Sequence, residues 1–299
     1  MKTRILIAAL GLTGALAFAA TNPQPGVEVQ MILTSADHMN HHPPVLKPAD
    51  VTIMDGTITD WLPLTGRDLE LFVLIDDSAN YDLDAKLQEI RQFITIQPDP
   101  VSIGIAYIHE GVLQVVQNPT TDHRLAARAL RAPSGSKAAN PYYALSDLIA
   151  NWPKRTARRE IVIVTSGVDD SAGGSPVCDN AETAIHDAER AGVMVYALYT
   201  PPDNYLLADW SKLDAGQVSL ASLSYETGGE AYFVGHVPPL SFEPFLTDIE
   251  EHFAHQYLVS LRLTPASESA FQTIFITSAN PDRELMKPEK IWVPTAAIK

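Results

Sequence analysis

Four short runs do most to limit what this chain can fold into. They are "LELFVLID" at Leu69–Asp76, "VSIGIAYIH" at residues 101–109, "EIVIVTSG" at 160–167 and "VMVYALYT" at 193–200. Each is almost continuously apolar, as expected of a strand covered on both faces. The segments between them show helical periodicity. "LDAKLQEIRQFI" places Leu83, Leu87, Ile90 and Ile94 on one stripe, and "AETAIHDAERAG" is amphipathic and stops at Gly192. Further helices are predicted over residues 122–131 and 141–152, in "SLASLSYETGG" and in "LSFEPFLTDIEEHFAHQY". "GVLQVVQ" follows the second strand after a short turn and reads as an antiparallel hairpin partner, and "EAYFV" reads as a short late strand. Strands alternating with helices give an α/β fold: a doubly wound, mostly parallel sheet with helices on both faces and one antiparallel strand.

The two ends of the chain read differently. Residues 20–68 show strands and turns, including the alternating stretch from Val27 to Leu33 and a strand in "VTIMDG" that ends at the glycine. Beyond Gln256 the pattern returns to strands, in "YLVSLRLT", "FQTIFITS" and "KIWVP". Neither end is long enough for its own core. The expected organisation is a signal peptide at 1–19, an N-terminal β segment at 20–68, the α/β domain at 69–256 and a C-terminal β segment at 257–299. The two β segments would pack together as a small layer.

The signal-peptide expectation rests on Lys2 and Arg4, an apolar stretch from Ile5 to Phe18, and the small-x-small pattern Ala17-Phe18-Ala19. Cleavage there predicts an exported protein, periplasmic or extracellular, with no membrane span in the mature chain. The formal charge of −15 becomes about −17 once both basic residues are lost. Such acidity argues against nucleic acid and anionic lipid as partners. The single Cys178 excludes an intramolecular disulfide and a cysteine zinc site. His38, His41 and His42 crowd one loop, but no spaced carboxylate or Cys completes a metal set, and solvated side chains are the plainer account. His252 and His255 share a helix face without an HExxH pattern, which favours packing or surface placement. There is no G-x-S-x-G elbow, Walker loop or dinucleotide glycine pattern, so no enzyme is expected.

In an open α/β sheet ligands sit at the carboxyl ends of the strands. Here those ends carry Asp76, Asp77, Ser78 and Asn80, then Thr165, Ser166, Asp169 and Asp170. A preceding loop adds Ser134, Ser136 and Asn140. All are hard oxygen donors of the kind Mg²⁺ and Ca²⁺ take. The alternative is that Asp76 and Ser78 bond neighbouring loop backbone and cap the next helix.

Asp76-x-Ser78-x-Asn80 after an apolar strand resembles the Asp-x-Ser-x-Ser motif of von Willebrand factor type A (VWFA) domains. The order of elements agrees, and "SLASLSYETGGEAYF" is similar to the family's late helix with its Thr-Gly-Gly ending. "NPYYALSDLIANWP" and the run into "HQYLVSL" resemble exported bacterial VWFA-related proteins. The resemblance spans residues 69–256. It implies a metal-ion-dependent adhesion site that holds Mg²⁺ or another divalent cation, completed by a partner's carboxylate. Asp76 and Ser78 match the motif. Asn80 replaces its second Ser, Asn140 stands near its Thr, and Ser166 stands where its third-loop Asp belongs. Asp77, Asp169 or Asp170 could substitute as the carboxylate, with shifted geometry. The site is therefore degenerate, with less negative charge than the family pattern. The expected function is binding of a protein or peptide at this edge, possible either with a cation or through direct polar contacts. A third alternative is a hydrolase using Ser166 or a metal-bound water.

Overall fold

The structure, a computed structural model, describes residues 26–36, 44–64, 69–79, 83–136, 138–152, 158–170, 179–202, 205–264, 268–281 and 283–295. The expected signal peptide, the loop with His38, His41 and His42, Asn80 and Cys178 all lie outside the described residues.

The chain opens with β1 (Val27–Ala36), β2 (Val51–Ile53) and β3 (Gly56–Leu64). The α/β unit follows: β4 (Leu69–Asp76), α1 (Leu83–Ile96), β5 (Ser102–His109), β6 (Val112–Thr120), α2 (His123–Arg128) and α3 (Pro141–Asn151). It continues with β7 (Arg158–Thr165), α4 (Asp179–Ala191), β8 (Val193–Tyr199), α5 (Trp210–Thr227), β9 (Ala231–Tyr232) and α6 (Glu243–Ala254). The tail holds β10 (Gln256–Leu263), β11 (Ala270–Thr273), β12 (Ile276–Ser278), β13 (Glu284–Met286) and β14 (Lys290–Val293).

Six strands form the main sheet in the order β6-β5-β4-β7-β8-β9. Neighbours run parallel except β5 and β6, which form an antiparallel hairpin. The chain winds outward from β4 to β6, then returns to β7 and winds the other way. The carboxyl ends of β4 and β7 therefore flank the point where strand order reverses, where an α/β sheet opens a crevice.

Every residue of β4 is buried. Leu71, Val73 and Ile75 join one apolar cluster with residues of α1, α2 and α6. Phe72 and Leu74 face the other way, into a cluster with residues of α3, α4 and α5. The near-continuous apolar composition of the strand follows from this two-sided cover.

Strands from both ends of the chain meet in a second, antiparallel sheet of order β13-β1-β10-β3. Its apolar residues, including Met31, Leu33, Val259 and Leu261, form a separate buried cluster. Gln256 opens β10 and accepts a hydrogen bond from Nη1 of buried Arg158, which ties this sheet to the start of β7.

Three sequence expectations need correcting. The strand in "VTIMDG" ends at Ile53, not at the glycine. Asp55 turns the chain with φ 61°, and Gly56 begins β3, a strand the pattern hides because most of its residues are only half covered or exposed. "FQTIFITS" is two strands: β11 pairs with β14, whereas β12 pairs with β2. The helix expected from Ser219 starts at Trp210, because Asp209 accepts from Ser211 N at 3.0 Å and caps it. Its buried face includes Gly216, Gln217, Ser224 and Thr227, so the apolar stripe is weak.

Candidate functional site

Asp76 ends β4 with 0% exposure. Its Oδ1 accepts from Ser78 N at 2.9 Å and from Ser78 Oγ at 2.7 Å. Its Oδ2 accepts from Thr165 Oγ1 at 2.8 Å, across to the end of β7. Burial pushes the Asp76 carboxyl above the usual carboxylate range. The hydrogen bonds from Ser78 and Thr165 only partly offset that desolvation, and neighbouring Asp77 adds repulsion.

Asp77 is equally buried but is held differently. Arg131 grips it with two parallel bonds, Nη1 to Oδ1 at 2.6 Å and Nη2 to Oδ2 at 2.7 Å. Ser134 Oγ donates to Oδ2 at 2.9 Å, and His109 Nδ1 lies 2.9 Å from the same oxygen. The Asp77 carbonyl accepts from Gly135 N and Ser136 N at 3.1 and 3.0 Å. Burial raises this carboxyl too, but the bonds from Arg131, Ser134 and His109 outweigh it and hold the group below its ordinary value. Arg131 is itself anchored over the Tyr107 ring, 3.9 Å from the centroid, and its carbonyl accepts from Tyr107 Oη at 2.8 Å.

Asn140 precedes α3, and its carbonyl accepts from Ala144 N at 3.1 Å. Its side-chain amide, in the orientation that satisfies its neighbours, donates to Asp169 Oδ1 at 3.1 Å. Asp169 Oδ2 accepts from Asn180 Nδ2 at 3.0 Å. Asp170 Oδ2 accepts from Ala139 N at 2.9 Å, locking the two loops together. Ser166 is 1% exposed, and its Oγ accepts from Val168 N at 3.3 Å. Gly167 follows with φ +70°, where a Cβ would meet the Gly216 carbonyl at 2.4 Å. This pair of glycines lets α5 lie directly on the strand end.

The structure thus gathers Asp76, Ser78 and Thr165 in one network and Asn140, Asp169 and Asn180 in another. Thr165, Arg131 and His109 are participants that the motif does not reveal. Thr165 ends a strand 89 residues from Asp76, while Arg131 and His109 come from other distant segments. Segments next to these loops expose large apolar side chains. Tyr143 in the first turn of α3 is 64% exposed, Leu206 and Leu207 after β8 are 73% and 88%, and Trp210 at the start of α5 is 58%.

No family model and no curated protein matches this chain. Solved structures do. An aerotolerance-related membrane protein from Bacteroides fragilis is 16% identical, with 62% of this chain and 98% of that one covered at TM-score 0.44. A von Willebrand factor type A protein from Catenulispora acidiphila is 11% identical, with 93% and 76% covered at TM-score 0.44. The PilB minor pilin from Streptococcus sanguinis is 14% identical, with 66% and 63% covered at TM-score 0.42. The antiparallel hairpin strand at one edge of an otherwise parallel sheet is the arrangement the resemblance implies. Among the described residues no helix is long and apolar enough to cross a membrane.

Proposed function

We propose that this protein is an exported binding module that engages a protein or peptide partner at the carboxyl edge of its main sheet, without a cation and without turnover. The observation that carries this reading is the exposure of Tyr143, Leu206, Leu207 and Trp210 on segments tied to the loops of this edge: Asn140 before α3 bonds Asp169, and Pro202 after β8 bridges Ala79. Apolar and aromatic residues exposed next to an ordered polar patch are the composition of a recognition surface.

The donor set at Asp76 has the hard oxygens that Mg²⁺ would use. Its charge, however, is met by protein. Ser78 and Thr165 donate to Asp76, Arg131 neutralises Asp77, and the amides of Asn140 and Asn180 satisfy Asp169. These bonds support a loop crown already organised for contact.

The test is capture of partners from an envelope extract of the native host. Wild type, the double variant Leu206→Asp/Leu207→Asp and Asp76→Asn would be compared with and without EDTA. Capture that is indifferent to EDTA and lost in the double variant supports the reading. Capture abolished by EDTA and by Asp76→Asn would replace it with cation-dependent adhesion.

A further inference from the structure

We propose that Glu230, Asp248 and His252 form a divalent-cation site of the zinc type beside the edge strand β9. It is separate from the loops around Asp76 and does not depend on their role. Asp248 and His252 lie one turn apart on α6, so both side chains leave the same face. Glu230 immediately precedes β9, and its carbonyl accepts from Ala197 N at 2.9 Å, which pins it to β8. One ligand atom from each of the three residues lies within 4.8 Å of the others. His252 Nε2 is 3.8 Å from Asp248 Oδ2 and 4.0 Å from Glu230 Oε2.

Two ligands each about 2.1 Å from a tetrahedral metal are about 3.4 Å apart. The two separations from His252, 3.8 and 4.0 Å, approach that value, and side-chain rotation can close the remainder.

The support around the three residues fits such a site. The His252 ring is 5% exposed and stacks on Tyr196, centroids 5.9 Å apart, so its orientation is fixed. Tyr232 Oη donates to Asp248 Oδ2 at 2.7 Å, the outer hydrogen bond that commonly aims a carboxylate ligand. Tyr232 is itself stacked on Phe245. Glu230 and Asp248 are 35% and 37% exposed, so the cluster opens to solvent on one side and leaves positions for water or a ligand. One imidazole with two carboxylates suits zinc better than magnesium or calcium, which favour oxygen alone.

The experiment is calorimetric titration of the EDTA-stripped full chain with Zn²⁺, with Co²⁺ absorption as a second probe. One-site binding is expected. It should weaken by more than about 100-fold in His252→Ala and Glu230→Gln and by about 10-fold in Tyr232→Phe. Asp76→Asn should bind like wild type. Glu230 is partly exposed, so its variant keeps the test decisive if His252→Ala does not fold. Three outcomes would overturn the proposal: no binding to wild type, binding lost in Asp76→Asn but kept in Glu230→Gln, and binding lost only when His38, His41 and His42 are replaced together.

Discussion

At the carboxyl edge of the sheet, Asp76 and Asp77 are both 0% exposed, and each is met by donors from the chain itself. Beside β9, Glu230 and Asp248 are about a third exposed and converge on one imidazole. The first place carries the recognisable Asp-x-Ser motif; the second has no motif at all. The difference separates ligand chemistry from ligand availability. Carboxylates sealed among Ser, Thr and Arg donors stabilise loops, whereas Glu230 and Asp248 keep a side toward solvent from which a cation can enter.

The largest effect should come from breaking the Asp77 network. Asp77→Ala removes the partner of Arg131, Ser134 and His109, and about 3 kcal/mol of stability should be lost in urea unfolding. That lies at the low end for a buried pair, because Arg131 is 39% exposed and can regain water. An unchanged midpoint would mean that the network does not organise the loops.

Next comes linkage at the second cluster. Zn²⁺ at about 100 times its dissociation constant should raise wild-type stability by about 2.7 kcal/mol. Asp248→Asn should abolish that gain, while Asp76→Asn should keep it. Equal gains in all three would place the metal elsewhere.

A smaller effect separates the two adjacent acids by pH. The Asp76 carboxyl is raised in the folded state, so its contribution is most favourable at low pH and declines as pH rises through the ordinary carboxylate value. The Asp77 carboxyl is lowered, so its contribution is present above the ordinary value and lost as pH falls through the folded one. Asp76→Asn should therefore change stability at neutral pH by about 1 kcal/mol or less and remove the decline with rising pH. Asp77→Asn should be costly at neutral pH and nearly silent in acid. Urea midpoints between about pH 3 and 7 would show whether the two slopes are indeed opposite.

The smallest effect belongs to Ser166. Among the described residues its Oγ accepts one long bond, so Ser166→Ala should cost about 0.5 kcal/mol and leave partner capture intact. Turnover on an ester panel that disappears in this variant would instead establish the hydrolase alternative.

The α/β class was legible because β4, β5, β7 and β8 are buried on both faces, which forces uninterrupted apolar runs that few other folds require. β3 and the first half of α5 were not legible. The former is mostly half covered or exposed, and the latter buries only Leu213, Gly216 and Gln217, too few apolar residues to make a stripe. Asp76 and Ser78 stood out by spacing alone, yet spacing does not say where their lone pairs point. Arg131, 54 residues from Asp77 in sequence, reaches it only through the fold.

The Glu230 cluster marks the boundary most clearly. Asp248 and His252 are one helical turn apart, a relation that sequence alone determines. Glu230 joins them because β9 lies next to β8 and α6 packs across the same face. Local periodicity determined which segments become strands and helices, since burial on one or two faces is written in neighbouring residues. Tertiary structure alone decided which acids are sealed among donors and which reach solvent, because that depends on groups brought in from far along the chain.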